Sequence, residues 1–209
     1  MKNVIKNILK IALVVILAIA AYYVYHVNFD YRFEEISKDK VYKSGLIKPA
    51  QLESYLLKHN IKTVIDLMDP GVQDRLNPAK QEHINAEDDA VNAINKKDNL
   101  NIRHVNIPSG QVPTKKTLTK FFEVLDDKNN YPVLIHCYHG TGRAQMYSAL
   151  YRVEYEKWKT EDARQETRFM VEGFGYRSSF SKGKSKGDFL INYKPREEGT
   201  LSTLNTLDK

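Results

Sequence analysis

One stretch of this chain constrains everything around it. Residues 133–135, Val-Leu-Ile, form a short apolar run of the kind that sits as a buried strand. The run ends in His136-Cys137, followed by Tyr138-His139-Gly140-Thr141-Gly142 and then Arg143. Beyond it, Met146, Ala149, Leu150 and Val153 recur at the i, i+3, i+4, i+7 spacing of a helix with one apolar face. A strand therefore runs into a tight loop and the loop into a helix, with a cysteine at one end and an arginine at the other.

That order has chemical consequences. Successive backbone N–H groups in a tight loop ahead of a helix form a nest that attracts anions. The same positive field favours the thiolate form of Cys137 and makes it a nucleophile at neutral pH. Gly140 and Gly142 let the backbone turn sharply and approach an oxyanion closely. Arg143 can hold two phosphate oxygens with its planar fork. The loop is thus suited to stabilise a phosphoryl group in transfer.

The sequence His136-Cys137, five residues, Arg143 resembles the signature of the cysteine-dependent protein-tyrosine and dual-specificity phosphatases, here of a bacterial exported type. The opening of the domain is similar too: Lys40 to Gly45 reads as a short strand and turn, and Ile61 to Met68 as an apolar strand ending in Asp-Leu. The resemblance spans residues 33–175. It implies an α/β, dual-specificity-phosphatase-like fold with a mostly parallel central sheet of about four or five strands flanked by helices. It also implies catalysis by Cys137 and Arg143 through a phosphocysteine, with His136 ordering the loop and tuning the thiolate. Tyr138, His139, Gly140, Thr141, Gly142 and Arg143 would bind the phosphate, and no metal or other cofactor is needed. The partner is a phosphorylated protein or a small phosphomonoester.

The rest of the chain fits such a sheet. Apolar strands are expected at 62–67, 102–107 and 132–136, alternating with helical patterns. Helices are expected from Pro49, with Leu52, Tyr55 and Leu56 on one face; from about Lys80 to Asn95; from a Thr114 cap, with Leu118, Phe121, Phe122 and Leu125 inward; and from a Thr160 cap to about Val171. Residues 172–188, rich in Gly, Ser and Lys, read as a mobile basic segment that can reach an anionic substrate or lipid head groups. Phe174, Tyr176 and Phe180 suggest that some of it packs down. Phe189 to Tyr193 reads as a short strand or a packed extension.

Residues 11–27 carry no formal charge and form an apolar run at the short end of what spans a bilayer. Lys2, Lys6 and Lys10 precede it; Asp30, Glu34 and Glu35 follow. The positive-inside rule puts the N-terminus in the cytoplasm and the domain outside, in the periplasm. The segment reads either as a retained anchor or, given Ala18-Ile19-Ala20, as a cleaved signal. The organisation is therefore 1–28 anchor or signal, 29–196 catalytic domain and 197–209 polar tail. The net charge is +6, and the three leading lysines account for half of it, so the domain has no nucleic-acid footprint. The single cysteine excludes an intramolecular disulfide. No metal-ligand spacing is present.

Two departures from the family pattern matter. The family's leaving-group acid is an Asp on a loop before the cysteine. Here that loop, Ile107 to Pro113, holds no carboxylate, and Ser109 stands about where the acid is expected. Asp69 and Asp74, just past a neighbouring strand, are candidates, and so is His139. Second, Ala144 replaces the usual hydroxyl after the arginine, so phosphocysteine hydrolysis is slow unless Thr141 substitutes. These departures motivate an alternative, a phosphate-binding module without efficient turnover. A basic rim would instead favour lipid or inositol phosphates. A rhodanese-like sulfur transferase also uses a loop cysteine, but the His-Cys start and the glycine placement argue against it.

Overall fold

The computed structural model describes residues 2–72, 78–167 and 175–196. Among them a five-stranded sheet runs in the order β1-β2-β5-β3-β4. Its strands are β1 (Glu34–Ser37), β2 (Val41–Ser44), β3 (Thr63–Asp66), β4 (Arg103–Asn106) and β5 (Val133–His136). β1 pairs antiparallel with β2; the other pairings are parallel, with β5 between β2 and β3. The mostly parallel sheet matches expectation. β1 is the strand that sequence missed, because Glu34 and Glu35 are exposed at an edge and leave no apolar run.

The helices are α1 (Lys2–Asn28), α2 (Pro49–Lys58), α3 (Gln81–Asp98), α4 (Lys115–Asp126), α5 (Arg143–Tyr155), α6 (Thr160–Glu166) and α7 (Ser185–Asn192). Successive strand residues point to opposite faces, which splits the core in two. Ile65, Val133 and Ile135 pack with Leu118, Phe121, Phe122 and Leu125 of α4 and with Met146, Tyr147 and Leu150 of α5. Val64 and Leu134 pack with Leu52 and Leu56 of α2 and with Val91 and Ile94 of α3. A strand covered on both faces must be apolar throughout, which is why Val133-Leu134-Ile135 reads as a continuous run.

Thr114 caps α4 as expected, its Oγ1 accepting from the Thr117 amide at 3.3 Å. Three expectations are corrected. Lys159, not Thr160, is the cap of α6, and no side chain closes it. Phe189 to Tyr193 is not a strand: it packs down, with Leu190 and Tyr193 buried, and residues up to Asn192 do so as part of α7. The supposed mobile segment packs down only in part: Phe180, Ser181, Lys186 and Gly187 are buried, as the reading allowed for Phe180, whereas Tyr176, expected to pack, is exposed, as are residues 182–185. Gly187 permits the packing: a Cβ there would lie 2.4 Å from the Phe180 carbonyl oxygen. Asp74, the last turns expected of the Thr160 helix, Phe174 and the tail lie outside the described residues.

Between residues 11 and 25 α1 is uncharged on all sides and exposed. Val4–Asn28 is long and apolar enough to cross a membrane, a property that export signals share.

Candidate active site

The loop 137–142 sits at the carboxyl end of β5, where open α/β sheets bind ligands. Cys137 is buried, and its Sγ accepts a hydrogen bond from the Gly140 amide at 3.3 Å. The thirteen-residue α5 begins at Arg143 and aims its positive end at the loop. Gly140 has φ +72, and a Cβ there would lie 2.6 Å from the Gly45 nitrogen. Glycine is thus demanded twice, by conformation and by the β2 turn packed behind the loop. That turn holds the loop through the Leu46 amide, which donates to the Tyr138 carbonyl at 3.1 Å. The Arg32 guanidinium donates to the His139 carbonyl at 2.9 Å.

Arg143 is buried, and one guanidinium nitrogen donates to the Leu67 carbonyl at 2.8 Å and to the Ser109 carbonyl at 3.1 Å. These carbonyls follow β3 and β4, so the ends of two neighbouring strands fix the fork. Cys137 and Arg143 line one cavity of about 170 Å³. His139, Thr141 and Gly142 complete its loop side; Gln111, Ser179 and Lys186 close it from outside the motif. Tyr138 turns away, its ring 5.5 Å from that of His83 and packed near Met68 and Ile84, so only its backbone belongs to the loop.

Ser109 is buried, its hydroxyl 2.8 Å from that of Tyr147. Asp69 accepts from the Gly71 amide at 2.9 Å, as an Asp in a turn does. Neither lines the cavity, and among the described residues no carboxylate does. Burial lowers the pKa of His139, and Arg32 and Arg143 lower it further, so the ring is neutral at pH 7 and a poor proton donor. Ala144 is buried with no hydroxyl, while Thr141 stands in the cavity wall.

Two groups beyond the motif complete the site; the sequence offered the first only as part of a basic segment able to reach an anion, and did not show the second as a cluster. The first is Lys186, on the first turn of α7, which reaches the cavity while Lys182 and Lys184 stay exposed. Its Nζ lies 5.3 Å over the Phe180 ring and 3.0 Å from where a Gly142 Cβ would stand. The second is a buried cluster behind the nucleophile: Asp66 on β3, Glu87 on α3, His104 on β4 and His136 on β5. Glu87 Oε2 lies 2.9 Å from His136 Nε2 and 3.1 Å from His104 Nε2. The first contact is an ion pair by distance but is not aligned as a hydrogen bond. Burial alone would lower the pKa of His136, yet Glu87 and then Asp66 outweigh it and push the value to about 9. Burial likewise opposes ionisation of Glu87, but His136 and His104 pull its pKa down to about 2. The four donors are close enough to hold a metal ion, but two carboxylates already face two imidazoles held toward the charged form, whereas a metal needs both imidazoles neutral.

A larger cleft of about 590 Å³, lined by Leu56, Asn60, Leu100 and Arg103 among others, lies at the amino ends of β3 and β4. It holds no nucleophile and is at the wrong end of the sheet for this chemistry.

Comparison with known proteins agrees with the geometry. Residues 22–182, well over half of the chain, match the family model described as DSP-PTPase phosphatase fused to NAD+ kinase. Among curated protein sequences none matches at a significant level. The core catalytic domain of the PP-IP phosphatase SIW14 from S. cerevisiae is similar in structure, with TM-score 0.52 and 19% identity over 78% of this chain and 85% of that one. P. aeruginosa TpbA gives TM-score 0.52 and 19% identity over 86% of this chain and 92% of that one. At such identities the two structures speak for the fold. The family match carries more: this chain belongs to the DSP-PTPase phosphatase family and is a phosphatase of the dual-specificity and tyrosine phosphatase superfamily.

Proposed function

We propose that Cys137 is the nucleophile of a metal-independent phosphomonoesterase. Its thiolate attacks phosphorus in line with the ester oxygen; the S–P bond forms as the P–O bond breaks, and the leaving oxygen takes the electron pair as an alkoxide or phenoxide that is then protonated by water. Amides of residues 138–143 and the Arg143 guanidinium hold the three non-bridging oxygens. Water then attacks the phosphocysteine, the S–P bond breaks, and sulfur departs as thiolate with release of inorganic phosphate. His136 tunes the thiolate, and Thr141 assists the second step in place of a hydroxyl at position 144.

The single observation that carries this reading is the shared cavity of Cys137 and Arg143, with the Gly140 amide on the sulfur at 3.3 Å. Among the described residues no carboxylate reaches the cavity, which favours substrates whose leaving group needs little protonation, so aryl esters such as phosphotyrosine react faster than alkyl esters. Cys137→Ser tests the assignment: release of phosphate from a small aryl phosphate should vanish. Appreciable activity in that variant would sink it. If the native protein also forms no phosphocysteine yet binds phosphate analogues through Arg143, the binding-module alternative holds instead.

One observation favours a second substrate class. Lys186 adds a cation to the cavity beside Arg143, which suits substrates with a further phosphate, such as inositol or lipid phosphates. The yeast neighbour is named as a PP-IP phosphatase. A panel of mono- and polyphosphorylated substrates, run with native protein and Lys186→Met, decides between them: a loss confined to polyphosphorylated substrates supports the second class.

We also infer that α1 anchors the domain, with Lys6 and Lys10 on the cytoplasmic side and the site outside. Resistance to alkaline extraction and protease sensitivity of the domain in intact spheroplasts are expected. Release of a shortened soluble form would instead identify a cleaved signal.

A further inference from the structure

The buried cluster behind Cys137 is not explained by stability. Two carboxylates and two imidazoles enclosed together are costly to desolvate, and well-packed apolar residues in their place are often as stable or more so. Among the described residues it is the one grouping of three or more His, Cys, Asp or Glu side chains this close together. It is drawn from four separate elements and converges on the residue next to the nucleophile. Such concentrations of perturbed groups mark functional sites.

The geometry gives each member a task. Glu87 Oε2 lies between the two imidazoles, 2.9 Å from His136 and 3.1 Å from His104. Asp66 sits farther off, 3.8 Å from His136 and 3.9 Å from His104, and is held by the Met68 amide at 2.7 Å and the Asn106 side-chain amide at 2.9 Å. Asp88 meets the other face of His104 at 3.2 Å. Glu87 is therefore the carboxylate nearest to His136, with Asp66 a longer ion-pair contact. On the other side of β5, Lys43 of β2 is buried and pairs with Glu34 at 3.0 Å. The titratable and charged groups on the elements packed around the end of β5 and the loop are thus Lys43 from β2, Asp66 from β3, Glu87 from α3, His104 from β4 and Arg143 from α5.

We propose that Glu87 is a positioning residue for the reaction: from α3 it keeps His136 as an imidazolium against Cys137, so that the resting thiolate has a buried counter-charge as well as the loop amides. Glu87 never touches substrate; it acts through His136. The proposal rests on Cys137 being the nucleophile. No atom is transferred by the cluster. It holds one proton on His136 throughout, and loss of the Glu87 charge would let that proton go and leave the thiolate supported by the loop alone.

The test uses the full chain in detergent, comparing native protein, Glu87→Gln and Glu87→Asp. Cys137, the only cysteine, is alkylated with iodoacetamide across pH, and kcat and KM for an aryl phosphate are followed over the same range. In Glu87→Gln the alkylation midpoint should rise by about one pH unit or more, roughly a tenfold loss of thiolate on the acid side, with the acid limb of kcat/KM moving in step. Glu87→Asp should recover much of the shift. A folded Glu87→Gln protein with an unmoved midpoint and a pH-independent loss of rate would reduce Glu87 to a packing role and overturn the proposal. Should Glu87→Gln fail to fold, 15N NMR of the native imidazoles still decides: His136 charged through neutral pH supports the proposal, and His136 neutral overturns it. One equivalent of a divalent metal in the purified protein, removed by chelator with loss of activity, would also overturn it. If Cys137→Ser kept activity, the nucleophile assignment would fall, while the NMR result would still report the charge on His136.

Discussion

On the open side of Cys137 stands a loop built almost without charge; on the closed side stands a cluster built of little else. The loop offers the Gly140 amide, the start of α5 and a single guanidinium tethered by the Leu67 and Ser109 carbonyls. The cluster sets the buried Glu87, Asp66 and His136 against His104, whose ring is nearly enclosed. Neutral dipoles suit the side where a dianion must enter and leave, because they bind charge without needing their own counter-ions. Full charges suit the side where nothing moves, because burial then strengthens their mutual attraction. The loop itself works through dipoles, with Arg143 and Lys186 as the cations of the open side, and its fixed backing carries the carboxylates and imidazoles.

Variants on the two sides should separate activity from stability. The largest effect belongs to the loop: Cys137→Ser should lower kcat by about four orders of magnitude or more while leaving the melting temperature nearly unchanged. Calorimetry beside a phosphate-release assay checks both halves. Next comes the cluster. Glu87→Gln leaves a buried imidazole without its partner and should cost about 3–5 kcal/mol of stability in denaturant unfolding. pH sharpens the point. His136 has its pKa raised from 6.5 to about 9, so its stabilisation is complete below pH 6.5 and is lost as pH rises through about 9. Glu87 has its pKa lowered from 4.5 to about 2, so its share is complete above pH 4.5 and is lost as pH falls toward 2. Both shifts report one interaction, and stability should be greatest between pH 4.5 and 6.5, with the alkaline decline missing in Glu87→Gln.

Smaller effects probe the loop's own construction. Arg143→Lys keeps the charge but loses the fork, and kcat/KM should fall about 10²–10³-fold with little change in melting. Gly140→Ala meets both the positive φ and the Gly45 backbone, and should cost about 1–3 kcal/mol together with weaker binding of vanadate. Smallest is a gain. Ala144→Ser restores a hydroxyl next to the loop and should speed phosphocysteine breakdown by about fivefold, one hydrogen bond's worth, in a burst experiment. If that substitution changes nothing, Thr141 already supplies the hydroxyl.

The same contrast explains what the sequence made legible. The loop is contiguous, so His136-Cys137, the glycines and Arg143 state its geometry in eight residues of text, and β5 and α5 follow from the periodicities on either side. β3 and β5 could be read because both of their faces are buried, and the less buried edge strand β4 because Ile102 and Ile107 bracket it. The cluster could not: Asp66, Glu87, His104 and His136 are far apart in the chain, and Glu87 falls on a helix where an acidic residue is ordinary until α3 is laid against β4. Asp66 in its Asp-Leu strand end was the one visible hint. Lys186 was hidden differently, in a run of alternating lysines that read as a solvated, mobile segment. What lifts it out is Gly187, whose missing side chain lets α7 seat against the 180–181 turn.

The most direct test of the central assignment is mass spectrometry of the Cys137 peptide after rapid acid quench of a single turnover with an aryl phosphate. A phosphoryl increment on Cys137 that rises and decays ahead of phosphate release is the predicted result. Phosphate release with no adduct on that peptide, or with the adduct on another residue, would contradict the account.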